Sequence, residues 1–183
     1  TVAFVLALLA AAGSSAAADW VRDSMEPGTV SDLVFGPEGG VLHGASGEAG
    51  AFRSTDGGVT WTSRDLNDEY YAFVDVWFED ALHGYITGTN LVNRAALVET
   101  HDGGLTWTTR ATNQSGHYWK MGFASDDFGY AVTSGGFDGD KWQRTLDGGN
   151  TWEEQSFPDG FHANGIGFLN DQLGWIGGYP AHT

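Results

Sequence analysis

A repeat of about 45 residues constrains this chain more than any other feature of its sequence. The segments STDGGVTW (Ser54 to Trp61), THDGGLTW (Thr100 to Trp107) and TLDGGNTW (Thr145 to Trp152) place their aspartates 46 and 45 residues apart. A second anchor keeps step with the first: Phe78, Phe123 and Phe168 stand 45 residues apart, as do Gly84, Gly129 and Gly174. Two independent anchors in one register mean that a single supersecondary unit recurs. Such a unit buries its apolar face only against its neighbours.

Each unit reads as four short strands. In the second unit these are V-D-V-W-F, G-Y-I-T-G, A-A-L-V-E-T and a strand beginning L-T-W-T-T, separated by Gly or Asp. These runs are too short for helices, and no amphipathic helical pattern lies between them. Four strands in about 45 residues is the size of a propeller blade, whereas a β-helix repeats in shorter rungs. The 28 glycines, 4 prolines and 14% aromatic residues suit short strands joined by tight turns. The expected fold class is therefore all-β, a β-propeller of four-stranded blades present as a partial ring. The blades fall at about residues 30–66, 71–112, 117–157 and 162–183, the last incomplete. Trp20 precedes Phe35 by 15 residues, much as the box tryptophans precede their phenylalanines by 16 or 17. Trp20 is thus expected to open the outer strand of a blade completed from the far end of a longer chain, in a ring of about 6–7 blades.

The repeated octapeptide has a mechanical reading. D-G-G supplies glycines for backbone positions with positive φ and a carboxylate that accepts turn N–H groups. Asp56, Asp102 and Asp147 are read as turn-makers, with Gly58, Gly104 and Gly149 as the permissive positions. Thr60, Thr106 and Thr151 add a local side-chain hydrogen bond, and Trp61, Trp107 and Trp152 offer apolar faces for burial between sheets.

Residues 1–18 read as a signal peptide lacking its upstream end. An apolar run from Val2 to Ala12 precedes Ala16-Ala17-Ala18 and Asp19, with cleavage expected after Ala18. That run is short of the roughly 20 residues needed to span a bilayer, so no stable membrane insertion is expected after cleavage. The expected location is secreted or periplasmic. With 24 acidic and 8 basic side chains, a formal charge of -16 opposes binding to nucleic-acid phosphates or anionic lipids. The absence of cysteine removes disulfides, thiolate metal sites and a cysteine nucleophile.

At the boxes the chain resembles the Asp-box or BNR-repeat superfamily, which includes sialidases, sortilin-type receptors and photosystem II stability and assembly factor-like propellers. The segments N-G-I-G-F-L-N-D-Q-L-G-W-I-G-G and M-G-F-A-S-D-D-F-G-Y-A-V look most like the last group, over about residues 20 to 183. That resemblance implies a ring presenting a protein-binding surface, with no cofactor and no chemistry. Its photosynthetic members use a basic arginine patch to contact an assembling membrane protein. The six arginines here, Arg22, Arg53, Arg64, Arg94, Arg110 and Arg144, form no such cluster in the sequence, and four of them flank the boxes.

The chemistry left to weigh is sparse. His117 and His162 are 45 residues apart and each stands six before a phenylalanine anchor, which places both near the starts of innermost strands. With Tyr71 and Tyr118 they are the candidate ligand-facing residues, although polar loop positions and blade packing explain them more economically. Tyr70, Tyr71, Tyr118 and Trp119 together also read as a sugar or peptide platform. The acidic run from Gly135 to Asp140 lacks the later ligands of a calcium loop and reads as a hairpin turn. His43, His83 and His101 fall at other phases of the repeat and receive no common role. No catalytic triad or phosphate loop can be assembled, so no catalytic residue, metal or cofactor is expected. The expected partner is a protein client or extracellular polymer. The alternatives are a sialidase-like glycosidase with catalytic residues in further blades, or a sortilin-like receptor.

Overall fold

The computed structural model describes residues 29–180 apart from 38, 49, 113–115, 135–139, 158–160 and 171. The signal-like segment, Trp20, Arg22 and most of the Gly135–Asp140 run lie outside the described residues. Three antiparallel four-stranded sheets follow one another. The first contains β1 (Val30–Phe35), β2 (Leu42–Ser46), β3 (Gly50–Ser54) and β4 (Thr62–Asp65). The second contains β5 (Tyr70–Phe78), β6 (Gly84–Asn90), β7 (Ala95–Thr100) and β8 (Thr108–Thr112). The third contains β9 (His117–Phe123), β10 (Gly129–Ser134), β11 (Lys141–Thr145) and β12 (Glu153–Ser156). A two-stranded sheet, β13 (Phe161–Asn170) with β14 (Leu173–Pro180), comes last. The architecture is that of consecutive propeller blades in an open, partial ring.

Within each full sheet the strands are ordered as in the chain, and the first strand of each packs against the first strand of the next. Strands β1, β5, β9 and β13 are therefore the inner strands. The outer strands β4 and β12 are exposed throughout and charged, through Arg64 and Asp65 or Glu153 and Glu154. Such charges blunt a sheet edge against further strand pairing.

The middle sheet is covered on both faces, and its strands show it. All six residues of β7 are buried, and alternate side chains enter different cores. Ile86, Ala96 and Val98 join Phe73, Val76 and Ala45 between the first and second sheets. Tyr85, Ala95 and Leu97 join Tyr118, Met121 and Ala131 between the second and third. A strand buried on both faces reads as a near-continuous apolar run, as A-A-L-V does.

The phenylalanine–glycine anchor also has a packing cause. Phe78, Phe123 and Phe168 pair across their hairpins with Gly84, Gly129 and Gly174. A Cβ on those glycines would meet the opposite ring at 2.6–2.7 Å. The bare glycine lets the ring lie over the neighbouring strand. In two sheets the box tryptophan then meets the same ring edge-on: Trp107 on Phe78 at 6.2 Å and Trp152 on Phe123 at 6.2 Å. One detail differs from the sequence reading. The outer strand of the second sheet begins at Thr108, not with L-T-W, because Asp102 holds Leu105 and Thr106 in the preceding turn.

Candidate functional site

The two ends of the strands carry different devices. At one end lie the three box turns, built alike. In the first, Thr60 donates through N–H to Asp56 Oδ1 at 2.8 Å and through its hydroxyl to Oδ2 at 2.6 Å. Ser54 donates to Asp56 Oδ1 at 2.8 Å and accepts from Gly58 N–H at 2.8 Å, while Trp61 Nε1 donates to Gly58 O at 3.0 Å. Asp102 and Asp147 accept the corresponding bonds from Thr106 and Thr151. Trp107 Nε1 and Trp152 Nε1 donate to Gly104 O and Gly149 O. Both glycines of each box have positive φ, from +65° to +93°. Bonds from the Thr60 hydroxyl and N–H hold Asp56 down at about 2, and those from Thr106 do the same for Asp102. These carboxylates are engaged by their own turns and act as fasteners.

At the other end, the inner strands are bulged. Their pairing skips Ser31, Val74, Trp119 and Asn164, each an extra residue opposite a continuous partner strand. The skipped positions recur close to the repeat spacing, at intervals of 43, 45 and 45 residues, and β5 carries a second bulge at Tyr71. A bulge re-aims a side chain out of the pleat. Tyr71 is 68% exposed and Trp119 37% exposed. His117 meets Trp119 edge-on at 6.4 Å and is bonded through Nδ1 to the hydroxyl of Thr89 in the preceding sheet.

Immediately after three of these bulges come Asp32, Asp75 and Lys120, which form one polar cluster across three sheets. Asp75 accepts from Met121 N–H at 2.8 Å and Lys120 Nζ at 2.5 Å, and Lys120 lies 3.6 Å from Asp32. Asp32 in turn accepts from Val76 N–H at 3.4 Å. Each aspartate thus bonds backbone of the next inner strand, fastening neighbouring sheets. Burial, with hydrogen bonding to Asp32, pushes Asp75 up to about 7. Burial also acts to raise Asp32, but the hydrogen bond from Asp75 and the Lys120 charge hold it below the usual carboxylate range. The arrangement is an acid–acid–base cluster in which burial favours the neutral form of Asp75 and Lys120 supplies the balancing charge.

Tyr118 does not face a ligand. It is fully buried, packs with Tyr85 and Met121 between sheets, and donates its hydroxyl to Gln143. Tyr70 is likewise buried and bonded to Thr109. Pleating explains the correction to the aromatic platform: in each pair of neighbours one ring goes into the core and the bulged one, Tyr71 or Trp119, goes out. The histidines are not brought together as a pair. His117 bonds Thr89, whereas His162 Nδ1 lies 3.1 Å from Asp140 Oδ2 and its ring packs on Tyr179. Asp140 also accepts from Ala163 N–H at 3.0 Å, the third sheet's counterpart of the aspartate fasteners. Sequence reasoning does not find the Asp32–Asp75–Lys120 cluster. The signal available is the 45-residue spacing of Asp75 and Lys120, opposite charges at one phase of the repeat.

Four-stranded sheets stacked through their inner strands, with a box turn fastening each outer hairpin, define a β-propeller of the Asp-box class. The comparisons with known proteins narrow this further. A family described as photosynthesis system II assembly factor YCF48 matches residues 61–129, and the chain resembles solved structures of YCF48. The structure of YCF48 bound to D1 peptide is 22% identical, with a TM-score of 0.55, covering 69% of this chain and 40% of that one. YCF48 from Cyanidioschyzon merolae is 16% identical, with a TM-score of 0.62, covering 84% of this chain and 49% of that one. The chain therefore spans less than half the length of either structure. No curated protein matches it.

Proposed function

We propose that this chain is part of an exported, non-enzymatic β-propeller scaffold that holds a protein client against the bulged end of its inner strands. The observation that carries the reading is the outward presentation of Tyr71 and Trp119 by inner-strand bulges. It occurs in a fold that has been solved, for YCF48, with a bound peptide. Large amphipathic rings on a rigid sheet suit peptide contact, because they bury area with little loss of side-chain freedom. The charge of -16 favours a neutral or basic client segment over an acidic one. The Ala-x-Ala site that ends the apolar N-terminal run supports an extracytoplasmic location.

The test uses the full chain as bait against envelope and secreted fractions, followed by direct titration of the captured client. Tyr71→Ala with Trp119→Ala is expected to weaken that titration at least about tenfold, as loss of aromatic anchors does. A fluorogenic sialoside is assayed in parallel. Client affinity unchanged in the double variant would overturn the proposed surface. Sialoside turnover abolished by arginine substitution would overturn the scaffold reading and make the protein a glycosidase.

A further inference from the structure

At the box end of the second sheet, three side chains that share no phase of the repeat converge. His83 precedes β6, Glu99 lies near the end of β7, and His101 opens the box turn. Because Gly84 pairs with Thr100, the residues flanking that pair become cross-strand neighbours. The two imidazoles stack at 4.7 Å and 7°. His83 Nε2 lies 3.0 Å from one oxygen of Glu99, and His101 Nε2 lies 3.3 Å from the other. We propose that His83, Glu99 and His101 bind a divalent transition-metal ion of the Zn²⁺ type.

The dimensions suit such an ion. Zinc takes nitrogen and oxygen ligands at about 2.0–2.1 Å, which sets neighbouring ligand atoms of a tetrahedron roughly 3.3 Å apart. One ligand atom from each of the three side chains falls within 4.8 Å of the others, so closure needs only small rotamer adjustments. Imidazole with carboxylate is a borderline donor set that prefers zinc, copper or nickel to magnesium or calcium. His101 is 68% exposed, which leaves an entry path and a fourth position for water.

The surroundings are organised as metal sites are. Glu79 Oε2 lies 2.5 Å from His83 Nδ1; with an ion bound, this outer carboxylate would keep the proton on Nδ1 and leave Nε2, which faces Glu99, to ligate the metal. Arg110 Nε stands 3.6 Å from Glu99, but its guanidinium is anchored to Gly149 O and Asn150 in the next sheet. It can remain there as a partner to the second carboxylate oxygen. The propeller itself does not require these residues. The register places Val41, Arg53 and Thr55 at the same positions in the first sheet and Phe128, Arg144 and Leu146 in the third. Only the second sheet, among these three, replaces the arginine with a carboxylate between two histidines.

The experiment is titration of the untagged, EDTA-stripped full chain with ZnCl₂ by calorimetry, with the visible absorption of added Co²⁺ as a report on coordination. One equivalent is expected to bind, with a Co²⁺ spectrum of four-coordinate type. His101→Ala should weaken binding at least about tenfold, and Glu79→Gln, one step removed from the ion, by roughly 10–100-fold. The box bonds of Thr100 and Asp102 do not use the exposed imidazole of His101. Its removal should therefore leave the box turn intact and shift metal-free urea unfolding only slightly, through the lost His83 stack and exposed Glu99 contact, and a His117→Gln, His162→Gln variant should bind as the parent does. Absence of one-equivalent saturable binding, or equal affinity in His101→Ala and the parent, would overturn the assignment.

Discussion

Gly149→Ala sets a methyl group against the tyrosine that links the second and third sheets. Tyr85 is fully buried, packed near Trp77 and Phe123, and its hydroxyl donates to Gly148 O at 2.9 Å. A Cβ on Gly149 would lie 2.5 Å from that hydroxyl, and φ there is +85°. Two penalties add. The left-handed backbone costs an L-residue roughly 1–2 kcal/mol, and overpacking a ring that cannot move costs roughly 1–3 kcal/mol more. The expected destabilisation is about 2–5 kcal/mol. Gly57→Ala isolates the first penalty, since φ is +74° but nothing lies within 4 Å of its Cβ position; it should cost about 1–2 kcal/mol. Tyr85→Phe removes the hydroxyl and leaves the Gly148 carbonyl without that donor, at about 1–2 kcal/mol. In the Gly149→Ala, Tyr85→Phe double variant the 2.5 Å contact is gone and the nearest ring carbon lies at 3.1 Å, so the two changes should couple favourably by roughly 1–3 kcal/mol. Urea unfolding followed by tryptophan fluorescence reads all four variants against the parent. Additivity within about 0.5 kcal/mol would refute the claim that the hydroxyl and the box glycine share this space.

Acid and near-neutral pH should probe opposite ends of the sheets. Asp56 and Asp102 titrate at about 2 in the fold against an ordinary 3.8. Their stabilising contribution is present above the ordinary value and lost as pH falls from 3.8 through about 2, so Asp56→Asn and Asp102→Asn should flatten the acid limb of a stability–pH curve. Asp75 has the reverse sign. Raised to about 7, it holds a proton in the fold that the unfolded chain gives up, so its contribution is full below 3.8 and is lost as pH rises through 7. Thermal melts between those values should therefore show a declining stability term that Asp75→Asn removes. An Asp75→Asn variant whose melting temperature declines across that window as steeply as the parent's would contradict the raised value of Asp75.

The fold class was legible because repetition writes the same local rule several times. D-G-G must supply two positive-φ positions wherever the outer hairpin turns, and F-x-x-x-x-x-G must leave room for a ring over the neighbouring strand. Such constraints act between residues a few positions apart, and the one-dimensional spacing records them. The propeller reading needed nothing beyond those two anchors and the strand lengths between them.

What the sequence did not specify is which neighbour of an alternating pair faces outward and which distant side chains meet. Tyr118 and Trp119 are adjacent and equally aromatic; pleating separates them, and the bulge opposite Thr133 and Val132 sets that it is the tryptophan that is sent out and the tyrosine that is kept in the core. One extra residue inverts the alternation that a regular strand would impose. Asp75 meets Lys120 because successive inner strands pack side by side, and His83 meets His101 because Gly84 pairs with Thr100. By itself, the sequence determined the repeated unit, its turns and its all-β class, since these depend on local backbone geometry and periodic burial. The tertiary structure alone decided the Asp32–Asp75–Lys120 cluster, the exposed aromatics and the histidine–glutamate site, since each is created by register between strands or stacking between sheets.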